Sequence, residues 1–262
     1  MTHYAKQPLA YSDIFRHAWQ LYRGTFKHVV PVALLGAIIA SILEVASGYG
    51  FGDAINNTPW DYMVVLWYLH IPSLIFALLA YNAIYIRYQA HLDQTACSYG
   101  QAWWRGLLRL PSTFLATLLY VVIAVIGLFL FVVPGIIVLV SLFFFYPMTV
   151  VRHENSFKAL CHSHRLVWPH WWRSLSVIIV PILSLLIAIF AIQGVSLGMG
   201  VLTHGSLLIM RTTGMVLGIL FGTFVCPWMI AVFMQQLMDL EVRGFTDYGI
   251  EPADDKATPV EV

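Results

Sequence analysis

The sequence predicts an all-α membrane protein with six transmembrane helices, and three observations carry the prediction. Six apolar stretches, each close to the roughly 20 residues that span a bilayer, fill most of the chain. Charged residues are only 10% of the composition, against about 25% in a soluble domain, and apolar residues reach 60%. Thirteen of the fourteen Lys and Arg fall on alternate polar strips. Water cannot solvate so large a chain through so few charges; lipid can.

The spans read, in order, at about 28–47, 63–86, 113–133, 134–151, 174–195 and 214–237. The first 25 residues are polar and lack the small-residue cleavage site of a signal peptide, so the first span is expected to be retained. Spans three and four meet at Pro134-Gly135 with so little intervening chain that they must form a tight hairpin. Pro134 is tolerated there because amides in a first helical turn lack intrahelical partners anyway. Between spans five and six, Gly198, Gly200 and Gly205 interrupt an apolar stretch. An outward loop over 196–213 is the favoured reading, ahead of an extension of span five or a re-entrant segment.

Orientation follows from the basic residues, because loops rich in Lys and Arg stay in the cytoplasm. One side carries Lys6, Arg16, Arg23, Lys27, Arg87, Arg105, Arg109, Arg152, Lys158, Arg165, Arg173, Arg243 and Lys256. The other has Arg211, accompanied by Glu44, Asp53 and Asp61. Both termini are therefore expected in the cytoplasm, with the 48–62 loop, the Pro134 turn and 196–213 outside.

The strips before spans one, three and five resemble one another. Aligning Tyr11 with Tyr99 also aligns Thr25 with Thr113 and Phe26 with Phe114; aligning Tyr11 with Ser156 aligns His17 with His162 and Leu21 with Leu166. Each strip has an apolar helical face: Tyr11, Ile14, Phe15, Ala18 and Tyr22; then Trp103, Leu107 and Leu110; then Phe157, Leu160, Cys161 and Trp168. Such helices lie in the membrane plane or dock beneath a bundle. The expected architecture is a single membrane domain over 1–262, built of three repeats of interfacial amphipathic helix plus helical hairpin. The repeats fall at about 11–87, 99–151 and 156–238, with a cytoplasmic tail over 243–262.

Chemistry-bearing residues are sparse. Trp103, Trp104, Trp168, Trp171 and Trp172 precede spans three and five, where indole rings favour the headgroup layer. Arg105, Arg109, Arg165 and Arg173 beside them are candidates for anionic lipid phosphates. Gly214, Gly218 and Gly222 put a small-residue stripe on span six, where another helix can approach closely. His70 and Asn82 are the candidates for a polar cavity in span two, His70 being equally a satisfied histidine of the bundle and Asn82 a candidate hydrogen-bonding link between helices. His153, His162, His164 and His170 share one strip, but residues 162 and 164 point about 200° apart on a helix, so no metal site is expected. Cys97, Cys161 and Cys226 are too scattered for a disulfide or redox pair. No nucleophile setting or phosphate-binding glycine loop is recognisable.

The segment 127–173 carries Pro134-Gly135 in its turn, Pro147 near the end of span four, Ala159-Leu160 with Ser163 and Leu166 on the following strip, and Trp171-Trp172. It resembles the YciC-like family of bacterial inner-membrane proteins, themselves similar to the membrane domain fused to some glycerophosphodiester phosphodiesterases. The resemblance implies location in a bacterial inner membrane and a helical architecture. No phosphodiesterase segment is read in this chain, so that chemistry is not carried over.

The expected function is non-enzymatic: organising or handling membrane lipid, or supporting a membrane assembly. The expected partners are membrane lipids, anionic phospholipid among them, and a membrane-protein partner or second copy, with no cofactor. The net charge of +1 gives no reason to expect nucleic acid. The alternative is a small-solute transporter or channel with a polar cavity near His70 and Asn82.

Overall fold

A computed structural model describes the backbone of residues 8–54 and 59–247 and the side chains of 8–42, 71–206 and 208–244. The chain is all helical among these residues, and six segments are long and apolar enough to cross a membrane. The elements are α1 (Tyr11–Ala54), α2 (Pro59–Leu92), α3 (Tyr99–Leu130), α4 (Val132–Leu142), α5 (Phe145–Val151), α6 (Ser156–Val167), α7 (Trp171–Leu202) and α8 (Leu207–Asp247). Helices are the natural solution here, since in lipid each backbone amide and carbonyl must find its partner within the chain.

Successive helices pack around the molecule, and α8 returns to lie along α1 and close the ring. The short α5 sits inside, touching α2, α3, α6 and α8. The core lies toward the basic end. It is built from Ile14, Ala18 and Val29 of α1, Ile84 and Tyr88 of α2, Phe144 and Met148 around α5, and Met234 and Leu237 of α8. Farther out, α3 and α7 turn apolar side chains such as Val125, Ile187 and Phe190 to the surroundings. The protein is tightly packed at one end and lipid-facing at the other.

The hairpin at Pro134-Gly135 is present and very tight. A single residue, Phe131, separates α3 from α4, and Pro134 occupies the first turn of α4. A Cβ on Gly135 would lie 2.6 Å from the Leu128 backbone nitrogen and 2.7 Å from its Cα. Only a glycine lets the two helices cross this closely.

Two expectations are corrected. The favoured loop over 196–213 shrinks to four residues, Thr203 to Ser206, because α7 continues to Leu202 and α8 begins at Leu207. Gly198 and Gly200 sit within a helix whose exposed Val195, Leu197 and Val201 face lipid, where leaving the helix would strand backbone groups. His204 and Gly205 make the turn together, at φ +56° and +85°. Second, the interfacial strips are not equivalent. The first two run without interruption into α1 and α3, and only the third forms a separate helix, α6. Pro169 ends α6 in a single turn of 3₁₀ helix over Trp168–His170, while the first two strips have no such interruption before their spans.

Span four is also divided. Pro147 has no N–H for the Phe143 carbonyl, and the ladder breaks at Phe143-Phe144. Ser163 of α6 completes it: its hydroxyl accepts from the Phe144 N–H at 3.1 Å and donates to the Ser141 carbonyl at 2.9 Å. The amphipathic α6 is thereby locked beneath the bundle, with Ala159, Ser163 and Val167 fully buried.

Candidate functional site

The basic end carries the chemistry, and its arginines divide into two groups. Arg105 is exposed on the first turns of α3, and Arg109 lies one turn on, half-buried. Both approach His153, whose basicity is lowered by burial first, then by Arg109 and Arg105. Arg165 is exposed on α6. Among the described residues, no carboxylate pairs with Arg105, Arg109 or Arg165. Aromatic rings flank them. Trp104 and Trp172 project outward, the latter 76% exposed, and Trp168 stands out beside His164 with ring centres 5.2 Å apart. Trp103 and Trp171 are turned inward as anchors: Trp103 lies 5.5 Å from Phe76, and the Trp171 indole donates to the Ile137 carbonyl at 3.2 Å. This surface can receive an anion beside an apolar chain.

Arg173 belongs elsewhere. Its guanidinium points inward, with Nε 2.9 Å from Asp239 Oδ2 of α8, and Arg243 reaches the same oxygen at 3.0 Å. The Leu9 N–H donates to Asp239 Oδ1 at 2.7 Å, and both arginines donate to the Leu9 carbonyl. Asp239 is fully buried, and Tyr11 lies under Arg173, its ring centre 4.5 Å from the guanidinium carbon. This cluster clamps the segment before α1 onto α7 and α8. Sequence reading missed it and grouped Arg173 with the lipid-facing arginines. The available signal was Asp239 four residues before Arg243, a spacing that places acid and base on one helical face.

Asn82 is a link between helices. Its amide donates to the Gly106 carbonyl and to the Thr113 hydroxyl, each at 3.1 Å, and its oxygen accepts from the Tyr146 hydroxyl at 2.9 Å. It is fully buried and joins α2, α3 and α5. The side chain of His70 lies outside the described residues, as does that of Glu44.

The glycine stripe of α8 splits. A Cβ at Gly214 would come 3.1 Å from Ser196 Oγ of α7, and one at Gly222 would come 3.1 Å from Ala37 Cβ of α1. Gly218 meets nothing within 4 Å, so its expected part in helix packing is corrected: the stripe slants between two neighbours and its middle faces neither. Gly36 of α1 makes the tighter approach, with an added Cβ 2.7 Å from Ala80 of α2.

Among the described residues, no group of three or more His, Cys, Asp or Glu could hold a metal ion. No family model matches the chain, and neither does any curated protein or solved structure.

Proposed function

We propose that this integral membrane protein is non-enzymatic and holds anionic phospholipid at its basic end, which faces the cytoplasm of a bacterial inner membrane. The observation that carries this reading is a set of arginines with no counter-charge among the described residues, the exposed Arg105 and Arg165 and the half-buried Arg109, beside the outward Trp104, Trp168 and Trp172. An arginine fork suits a phosphate, and an indole suits the headgroup layer above the acyl chains. The resemblance of 127–173 to the YciC-like family and the thirteen-to-one charge asymmetry support the location and orientation. The transport alternative needs a polar route past Asn82, whose amide is enclosed by Gly106, Thr113 and Tyr146.

Native mass spectrometry of the detergent-purified protein tests this. Each basic residue near a membrane surface contributes about 1 kcal/mol of attraction to anionic lipid. Replacing Arg105, Arg109 and Arg165 together by Gln should therefore strip anionic lipid while leaving bound zwitterionic lipid unchanged. Insertion should persist, because Arg23, Lys27, Arg87 and Arg152 keep the inside bias. Equal retention of both lipid classes in parent and variant would leave the rim as an anchor alone.

A further inference from the structure

A second basic feature lies apart from that rim, in the angle between α1, the end of α2 and the start of α3. Here the loop over 93–98 leaves a cleft of about 550 Å³, lined by Thr25 and His28 of α1, Arg87 and His91 of α2, and Ser98 and Gln101 at the head of α3, among others. Among the described residues, no carboxylate lines it. Arg87 is only 6% exposed, yet among the described residues it donates to a single acceptor, the Cys97 carbonyl at 2.8 Å, with its guanidinium carbon 4.3 Å from the centre of the Tyr99 ring.

The dipoles around the cleft are unevenly satisfied. At the end of α2 the acceptors are occupied: Thr95 bonds the Ala90 carbonyl through both its N–H and its hydroxyl, and Gln94 bonds the His91 carbonyl. At the head of α3 a capping box uses the Ser98 and Gln101 amides, which leaves those of Tyr99 and Gly100 at the positive end of a 32-residue helix. Thr25 is 1% exposed, and its hydroxyl has no hydrogen-bond partner among the described residues. A buried hydroxyl rarely goes unpaired without a bound group or water to receive it. Arginine donors, two imidazoles, the Ser98 and Gln101 end of a helix head and a hydroxyl unpaired among the described residues thus line one space that no described carboxylate lines.

From this convergence we propose that the cleft binds a phosphate monoester or inorganic phosphate, with Arg87 as the principal charge, His28 and His91 as flanking donors and Thr25 as a buried hydrogen-bonding partner. A terminal phosphate matches a helix head and a guanidinium in both charge and geometry. Such a group could arrive free in solution or as the headgroup of phosphatidic acid.

The test titrates the full-length protein in detergent with inorganic phosphate, dihexanoyl phosphatidic acid and dihexanoyl phosphatidylcholine, reading the thermal midpoint by tryptophan fluorescence. A saturable rise with phosphate identifies a soluble ligand, and a rise with phosphatidic acid alone identifies the lipid. The Thr25→Val/His28→Gln variant should weaken the effective ligand at least tenfold, and Arg87→Lys, which keeps the charge but loses the fork, supplies an independent comparison if the double variant unfolds. The Arg105/Arg109/Arg165→Gln variant should keep the response, which separates this site from the rim. No shift with either phosphate compound, an equal shift with phosphatidylcholine, or a response undiminished in the cleft variants would overturn the proposal.

Discussion

Asp239 shows how a single residue organises the basic end. A buried carboxylate is costly unless its charge and lone pairs are met, and here two guanidiniums and the Leu9 amide meet them. Asp239→Asn keeps the shape and removes the charge, leaving Arg173 and Arg243 facing each other uncompensated. Breaking a buried pair costs about 3–5 kcal/mol. The arginines retain some contact with solvent, so a loss near the lower end of that range is expected in denaturation of the purified protein. Unchanged stability would mean that the cluster is incidental. Tyr99 illustrates a gentler device. Pro31 deprives the Lys27 carbonyl of its helical donor, and the Tyr99 hydroxyl supplies one at 3.0 Å, tying the head of α3 to α1.

Among the elements, close approach is concentrated at particular glycines. Gly135→Val should disrupt the α3–α4 hairpin, because the new side chain meets the Leu128 backbone as well as its side chain, and the backbone cannot move aside. Overpacking typically costs about 1–3 kcal/mol, and a backbone obstacle places this variant at the upper end. Gly218→Leu should leave the thermal midpoint in detergent nearly unchanged, since the site faces open space. A reversal of these two outcomes would mean that the helices pack differently. The contrast marks what the sequence could disclose. Pro134-Gly135 lies between two long apolar runs, so the hairpin was legible from chain length alone. The glycine stripe was legible as a pattern, but which glycine meets a neighbour depends on how α8 slants between α1 and α7, and no single-helix pattern encodes that. The break in span four was equally hidden: 132–146 is apolar apart from Pro134, Ser141 and Tyr146, and the interruption requires both Pro147 and the distant Ser163. Arg173 looked like its neighbours because Asp239, which draws it inward, is 66 residues away. The extended α7 ranked behind a loop because glycines that would break a helix in water are tolerated where the alternative is unsatisfied backbone in lipid.

At the scale of the whole molecule, the six spans form a ring that is dense at the basic end and open toward lipid at the other. The α3–α4 tip shows the extreme of that second end, with Phe129 91% exposed and flanked by Leu130, Phe131, Val132 and Val133, all apolar and exposed. The charge asymmetry, the proposed lipid rim and the proposed phosphate cleft all belong to the basic end, so the account depends on which way that end faces. The exposed Cys161 of α6 marks it, and His204, exposed in the turn between α7 and α8, marks the opposite end. Two single-cysteine proteins suffice: one retaining Cys161 with Cys97 and Cys226 replaced by Ser, the other carrying His204→Cys with all three native cysteines replaced. Both would be treated with a membrane-impermeant maleimide in intact bacterial cells. Labelling of the His204→Cys protein at once, and of Cys161 only after permeabilisation, is the expected result; the reverse pattern, or labelling of both in intact cells, would contradict the account.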